Sequence, residues 1–169
     1  MNSANHEILL LRHGKAETHY HGSDYDRELT ETGCERTCKI ANHMREQQLT
    51  PDMIISSTAN RALATTSIVC DAFVIDTNTI DRRADLYNAD WHDVLNIVQQ
   101  LPDTVMRVLL VGHNPAFEML VEQLIATPAA DIHLSPSSMA RLTFKGHWSG
   151  LTSGQCRLLS IVHAQELVS

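Results

Sequence analysis

The sequence predicts an α/β fold, a three-layer α/β/α sandwich with helices on both faces of a mostly parallel central sheet and a C-terminal hairpin. Apolar runs typical of strands alternate with segments whose apolar residues recur at helical spacing. The length of 169 residues, of which 43% are hydrophobic and 20% charged, suits one domain with a sizeable core. No repeat or linker interrupts the sequence, so we expect a single domain over residues 1–169.

Five segments have the character of strands. The first two are continuous apolar runs, which suit strands buried on both faces, and the other three are bounded on at least one side by glycine or proline. In chain order the predicted strands are residues 8–11, 53–55, 105–111, 139–144 and 155–163. The glycine-rich stretch 146–154 joins the last two strands into a hairpin, which makes the sheet mixed.

Four segments carry apolar residues at helical spacing. In chain order the predicted helices are residues 33–48, 62–73, 91–98 and 117–125. Thr30 is the expected N-cap of the first helix, and the Ser-Ser-Thr run at 56–58 supplies the expected caps of the second. Proline residues shortly after the first, third and fourth helices end them.

The composition argues against several classes of protein. Lys and Arg number 13 against 20 Asp and Glu, a net charge of −7, whereas nucleic-acid-binding proteins neutralise phosphates with many basic side chains. No apolar stretch approaches the roughly 18 residues that span a membrane, and the N-terminus lacks the order of a signal peptide. We therefore expect a cytoplasmic protein that binds neither nucleic acid nor membrane. The four cysteines have no CxxC spacing and are expected to be buried thiols.

Basic and imidazole side chains come directly after three predicted strands. Arg12 and His13 follow the first strand, Arg61 lies just past the second, and His113 follows the third. Ligands of open α/β sheets bind at the carboxyl ends of the strands, so we expect these four residues to share one pocket. Because guanidinium groups form bidentate bonds to phosphate oxygens, the pocket should hold a small tetrahedral anion.

Four motifs here resemble the signature of the histidine phosphatase superfamily, which also contains the phosphoglycerate mutases. They are RHG at 12–14, LTETG at 29–33, SSTANRA at 56–62 and GHNP at 112–115. The short chain, with no large insertion after Arg61, is most similar to the SixA-type phosphohistidine phosphatases. The resemblance implies a phosphatase whose partner and substrate is a phosphorylated histidine-containing carrier or phosphotransfer protein. It implies no cofactor, since the arginines supply the charge that a metal would otherwise provide.

The resemblance also implies a mechanism. His13 would be the nucleophile, and it would form a phosphohistidine that water then hydrolyses. Nearby Arg12 and Arg61 should lower the pKa of His13 below its ordinary value of about 6.5 and should hold the phosphoryl oxygens. His113, as an imidazolium or a donor, would bind the same oxygens.

Two further residues each have two interpretations. Gly14 is either a turn glycine or a position where a side chain would block the approach of the backbone to phosphate. Arg27 is either a solvated loop arginine or a further phosphate contact. Both are therefore included among the candidate substrate-binding residues, with Arg12, Arg61 and His113.

Larger superfamily members use a Glu or Asp to protonate an alkoxide leaving group. Here Asp85, Asp90 and Glu17 are the candidates, and none matches that position well. An alkoxide is a strong base, since water itself has a pKa of about 15.7, whereas imidazole leaves from a conjugate acid of pKa about 6.5. The missing acid therefore favours phosphohistidine over sugar phosphates and counts against a mutase.

Two alternatives remain open at the level of the sequence. The same pocket could serve a small-molecule phosphomonoesterase acting on sugar or terpenoid phosphates, or a non-catalytic domain that binds phosphate. Binding alone would not require a nucleophile. His19 and His21 have a spacing compatible with a transition metal, but they lack carboxylate or thiolate support, and we expect no metal site.

Overall fold

Six strands form one mixed sheet in the computed structural model, which describes residues 5–19 and 21–168. In chain order they are β1 (Asn5–Arg12), β2 (Met53–Ser57), β3 (Asp81–Arg83), β4 (Arg107–Gly112), β5 (Ser138–Lys145) and β6 (Arg157–His163). Across the sheet the order is β3-β2-β4-β1-β5-β6. The first four strands in that order run parallel, and β5 pairs antiparallel with both β1 and β6. The predicted mostly parallel sheet with a closing hairpin is confirmed.

Four helices cover the two faces of the sheet. They are α1 (Glu31–Glu46), α2 (Asn60–Phe73), α3 (Trp91–Gln99) and α4 (Ala116–Leu124). Helices α1 and α2 pack together on one face, and α3 and α4 pack together on the other, as the sandwich prediction requires. No helix in the described part of the chain has the length and apolar content that a membrane crossing needs.

Strand β1 shows why its sequence is apolar without a break. Leu9 and Leu11 belong to the core between the sheet and the α1–α2 layer, and Ile8 and Leu10 belong to the core on the opposite face. All four side chains are fully buried. Each such burial stabilises the fold by about 1.5–3 kcal/mol, so the strand is held in place from both sides.

Helix α1 begins as predicted. Of its residues at the predicted helical spacing, Ala41 and Met44 are buried, but Cys34 and Cys38 are not. The Thr30 hydroxyl accepts a hydrogen bond from the Gly33 backbone N–H, which confirms the cap. Thr37, rather than Cys38, faces the interior, because its hydroxyl is satisfied by the Gly33 carbonyl at 2.8 Å. Cys38 is exposed and Cys34 half-buried, so the expectation of buried thiols holds only for Cys70 and Cys156.

The start of helix α2 also differs from the prediction. The residue before the helix is Ala59, which has no capping side chain, and residues 56–57 belong to β2 instead. The Ser57 hydroxyl accepts a long hydrogen bond of 3.3 Å from the Ala59 N–H. Helix α2 therefore starts at the carboxyl end of β2, which places Arg61 in its first turn.

Strand β3 was not predicted. It has three residues, Asp-Arg-Arg, and lies at an edge of the sheet, so it shows no apolar run. It precedes a short turn, residues 84–86, that leads Tyr87 to the carboxyl edge of the sheet.

Candidate active site

A pocket of about 420 Å³ lies at the carboxyl ends of β1, β2 and β4. All four of the residues predicted to converge, Arg12, His13, Arg61 and His113, line it. The other lining residues are Lys15, Ala16, Thr18, Asp24, Arg27, Tyr87, Asn88, Asn114 and Pro136. The pocket thus joins the strand ends to the loop after β1 and to the segment after β3.

The hydrogen bonds of His13 fix the position of its ring proton. Nδ1 lies 2.8 Å from the backbone carbonyl oxygen of Gly14. A carbonyl oxygen only accepts, so Nδ1 carries the hydrogen and donates it. Nε2 therefore has a lone pair, and the Nε–H of Arg61 donates to it at 3.2 Å. The two contacts independently define the same tautomer.

The environment of His13 keeps its imidazole uncharged. The side chain is only 8% exposed, and burial is the main reason that its pKa falls to about 3. The hydrogen bond to the Gly14 carbonyl has the next largest effect and raises the pKa, whereas the neighbouring His113, Arg61 and Arg12 each lower it by a smaller amount. The expected depression is confirmed, although burial contributes more to it than the arginines do.

Arg61 is buried and held in place by a carboxylate. Its Nη1 donates to the Asp24 carbonyl oxygen at 2.6 Å, and its Nη2 donates to Asp24 Oδ2 at 3.0 Å. With the Nε–H on His13, these bonds use three of the five guanidinium hydrogens. Two remain for a ligand.

Asp24 lies in the turn 24–26 of the loop after β1. Its carboxylate accepts hydrogen bonds from side chains of α2, of its own loop and of the segment after β3. Besides Arg61, the Tyr87 hydroxyl donates to its Oδ2 at 2.6 Å and Arg27 Nε donates to its Oδ1 at 2.9 Å. The Tyr87 hydrogen bond and then the nearby Arg61 and Arg27 lower the pKa of Asp24 to about 2. Asp24 is therefore ionised at neutral pH.

Arg12 and Arg27 complete the cationic lining. Arg12 ends β1, and its Nη1 donates to the Leu134 carbonyl oxygen at 2.7 Å, while its buried Nε makes no hydrogen bond within the described residues. Arg27 Nη1 donates to the Glu17 carbonyl oxygen at 2.9 Å, and its side chain is 27% exposed. The Arg27 side chain is therefore partly exposed and lies in the pocket wall, and its contact with phosphate stays a prediction.

His113 lies beside His13, with ring centroids 5.1 Å apart, and its Nε2 is 2.8 Å from the Ser57 hydroxyl. Burial, followed by the charge of Arg61, lowers the pKa of His113 to about 4. Of the two expected forms, an imidazolium or a neutral donor, the free protein therefore has the neutral one at pH 7. His113 is a neutral ring that can still donate one hydrogen bond.

Gly14 has a packing role that neither sequence interpretation anticipated. A Cβ at this position would lie 2.7 Å from the Thr37 hydroxyl and 3.0 Å from the Gly33 carbonyl oxygen of α1. Its own N–H donates to the Thr65 hydroxyl at 3.0 Å. The missing side chain lets the loop after β1 lie directly on α1 and α2.

The three carboxylates predicted as candidate acids lie outside the pocket lining. Asp85 forms a two-pronged ion pair with Arg83, Asp90 caps α3, and Glu17 is absent from the lining residues. The sequence did not single out Asp24, although it precedes Arg27 by three residues in the polar loop and that spacing was a usable signal. His19 and His21 lie exposed in this loop.

A neutral imidazole with an available ring nitrogen, set among arginines at the carboxyl edge of an α/β sheet, defines a phosphoryl-transfer site. The family model described as histidine phosphatase superfamily (branch 1) matches residues 8–105. The chain therefore belongs to the histidine phosphatase superfamily and is a phosphatase, a hydrolase.

Three proteins illustrate what the chain is similar to. A structure from Agrobacterium tumefaciens, provisionally named phosphohistidine phosphatase SixA, is 30% identical, with a TM-score of 0.76 and coverage of 93% of this chain and 97% of the other. A provisionally named SixA from Nakamurella multipartitia covers both chains fully at 22% identity and a TM-score of 0.83. An uncharacterized protein of Mycobacterium tuberculosis is 26% identical over 160 residues, 88% of this chain and 96% of its own length.

Proposed function

We propose that this phosphatase removes the phosphoryl group from a histidine side chain of a protein, through a covalent phospho-His13 intermediate. One observation carries the proposal. The pocket pairs an uncharged His13, whose Nε2 carries no hydrogen and accepts a hydrogen bond from Arg61, with a single lining carboxylate in the described part of the chain, Asp24, which is ionised. Such a site supplies a nucleophile but no carboxylic acid.

In the first step, His13 Nε2 attacks phosphorus. A new phosphorus–nitrogen bond forms while the bond to the substrate imidazolium breaks. The electron pair returns to the leaving nitrogen, and the ring, whose other nitrogen keeps its hydrogen, departs as neutral imidazole. The hydrogen of His13 stays on Nδ1 throughout and is donated to the Gly14 carbonyl oxygen, so the phosphorylated ring is a stabilised imidazolium.

In the second step, water attacks the phosphorus of phospho-His13. The phosphorus–nitrogen bond breaks, its electron pair returns to His13 Nε2, and the product leaves as dihydrogen phosphate with both protons of the water. Because the leaving imidazolium becomes a neutral imidazole, this step also proceeds without a carboxylic acid.

Arg12, Arg61 and His113 are assigned to the phosphoryl oxygens. The two arginines retain unused N–H groups, since Arg12 Nε has no partner and Arg61 has two hydrogens left. His113 donates one hydrogen bond, and Arg27 adds positive charge at the wall. These fixed donors match the charge that spreads over three equatorial oxygens in the transition state.

The substrate is assigned from the leaving group. Asp24, with a pKa of about 2, has no proton to give an alkoxide at neutral pH. An imidazole needs none, because its conjugate acid has a pKa of about 6.5. The rim residues Lys15, Thr18 and Asp24 are exposed, so the pocket opens to the surface, where a phosphohistidine carried by a protein could reach it.

The proposal is tested with a radiolabelled, phosphorylated histidine-containing carrier. We expect label to transfer to His13 as an acid-labile adduct, with release of inorganic phosphate. The His13→Ala variant should lose both, while His19→Ala, which changes an exposed histidine of the same loop, should retain them. Unchanged turnover in His13→Ala contradicts the mechanism.

A comparison of kcat/KM separates the alternatives. Preference for sugar or terpenoid phosphates over the phosphohistidine carrier would identify a small-molecule phosphomonoesterase. Binding of inorganic phosphate without release from any phosphorylated substrate would identify a non-catalytic binding domain.

A further inference from the structure

Asp24 is a carboxylate in a pocket built for an anion. Its negative charge repels a bound phosphoryl group. We therefore expect Asp24 to make favourable interactions that offset this repulsion. Holding Arg61 is one such interaction. The remaining bonding capacity of Asp24 points to another.

The three donors on Asp24 leave one acceptor position open. Oδ2 accepts from Arg61 and Tyr87, and Oδ1 accepts only from Arg27. A carboxylate has about four lone-pair sites, so Oδ1 can accept one more hydrogen bond. The side chain as a whole is 55% exposed and lines the pocket.

The exposed fractions of the pocket residues indicate which lie at its floor and which at its mouth. They suggest that the open acceptor position of Asp24 is on the side of the leaving group. His13 is 8% exposed and Arg61 5% exposed, whereas Asp24 is bonded to the end of Arg61 remote from His13 and is mostly exposed. In an in-line displacement the leaving group lies opposite the attacking atom. With His13 at the floor, the leaving imidazole lies toward the mouth, where Asp24 is.

We infer that Asp24 Oδ1 accepts a hydrogen bond from the unphosphorylated ring nitrogen of the substrate phosphohistidine and so makes the site selective for phosphorylated imidazoles. This inference rests on the proposed function. The bond holds the substrate ring as an N–H imidazolium. When the phosphorus–nitrogen bond breaks, its electron pair goes to the released nitrogen, the N–H proton stays on the other nitrogen, and neutral imidazole departs.

The enzyme already uses this arrangement on its own ring. The Gly14 carbonyl oxygen accepts from His13 Nδ1–H and leaves Nε2 for phosphorus. Asp24 would do the same for the substrate, so each of the two imidazoles that exchange the phosphoryl group would have an acceptor on its far nitrogen. The Tyr87 ring, 5.7 Å from the ring of His113 and below the Arg61 guanidinium, gives that side of the pocket an aromatic wall.

The test compares two substrates whose leaving groups are both weakly basic, a phosphohistidine-containing peptide and an aryl phosphate ester. Asp24→Asn removes the charge, and Asp26→Asn makes the same change at an exposed carboxylate of the same turn that does not line the pocket. We expect Asp24→Asn to lower kcat/KM for the peptide about 10- to 100-fold more than for the ester, since a charged hydrogen bond has that worth. Asp26→Asn should change neither.

The pH dependence of kcat on the peptide gives a second readout. Asp24 should raise the pKa of the bound substrate ring, so the basic limb should lie about one pH unit lower in Asp24→Asn than in the wild type. The ester has no such ring, and its basic limb should not move. Tyr87→Phe keeps the charge of Asp24 and should leave the limb in place.

Equal losses for both substrates, with no shift of the basic limb, would reduce Asp24 to a positioning residue for Arg61 and overturn the inference. In that case the wild type still hydrolyses the peptide through phospho-His13. If the wild type instead fails to hydrolyse the peptide, the proposed function itself is overturned. The two failures are therefore distinguishable.

Discussion

Two clusters in this molecule each consist of one carboxylate between two arginines. They lie at opposite ends of the parallel strands. At the amino end of β1, Glu7 accepts from Arg107 at 2.7 Å and from Arg141 at 2.6 Å. At the carboxyl edge, Asp24 accepts from Arg61 and Arg27 at 3.0 and 2.9 Å. The same ion-pair chemistry serves both edges.

The clusters differ in exposure and in the balance of charge. The side chain of Glu7 is 18% exposed and that of Asp24 is 55% exposed. Burial raises the pKa of Glu7, but hydrogen bonds from Arg141 and Arg107 outweigh it and leave the pKa lowered. The pocket that contains Asp24 also contains a third arginine, Arg12, and a neutral nucleophile whose Nε2 accepts a hydrogen bond from Arg61. An arginine–carboxylate cluster can take part in catalysis when some arginine N–H groups remain without partners and lie beside a nucleophile.

Exchanging Arg for Lys in each cluster tests this difference most strongly. Arg61→Lys should lower kcat about 10³-fold, because the planar fork that reaches His13 and the phosphoryl oxygens is lost. Arg107→Lys should leave kcat within about twofold, since it lies at the other edge. Steady-state kinetics on the phosphohistidine carrier measures both, and equal effects would show that the clusters are not functionally distinct.

The buried histidines of the carboxyl edge should make stability depend on pH. His13 and His113 have folded pKa values of about 3 and about 4, below the unfolded value of about 6.5, so the unfolded chain binds more protons between these limits. The free energy of unfolding should therefore fall as the pH drops from 7 to 5, by about 2 kcal/mol for each histidine. Urea titrations should show a flatter profile in His13→Gln/His113→Gln, and an unchanged profile would contradict the assignment.

The amino-edge cluster should lose its contribution in a different pH range. The pKa of Glu7 is depressed below its ordinary 4.5, so its stabilisation is present above that pH and is lost as the pH falls through the folded pKa. At pH 7, Glu7→Gln should lower the free energy of unfolding by about 1.5 kcal/mol without changing kcat. Asp24→Asn, at a mostly exposed site, should affect stability less, and a larger loss there would reverse the contrast.

Arg27 should show the smallest effect. It contacts Asp24 and the Glu17 carbonyl and adds charge to the wall, but it makes no hydrogen bond to His13. Arg27→Gln should lower kcat/KM about fivefold, mainly through weaker attraction of the phosphoryl group. The loss should shrink as salt is raised, which distinguishes it from the loss in Arg61→Lys.

The sequence predicted those site residues that directly follow strands. Arg12, His13 and His113 lie within two residues of apolar runs, and parallel strands bring such positions to one edge. Asp24 and Tyr87 are 63 residues apart, and their hydrogen bond joins two irregular segments. No periodicity predicts such a contact, so the carboxylate of the pocket became visible only in the structure.

The boundaries of the elements show the same division. Strands such as β1, whose successive side chains are buried on opposite faces of the sheet, were predicted from their apolar runs. Strand β3 has no apolar residue and was not predicted. In α1 the interior position belongs to Thr37, because its hydroxyl finds partners in Gly33 and Ser137. The hydrophobic pattern correctly placed Ala41 and Met44 on the buried face of this helix, but it also placed Cys34 and Cys38 there.

The proton on His13 is held by a main-chain carbonyl, and this choice of partner affects how the enzyme can change. No side-chain substitution can remove the carbonyl of Gly14, and the contact of that residue with Thr37 discourages any shift of the backbone. The tautomer of the nucleophile is thereby set without the loop residues at the mouth. Asp24, Arg27 and Tyr87 can be exchanged, by evolution or by design, to admit other leaving groups while the attacking nitrogen stays ready.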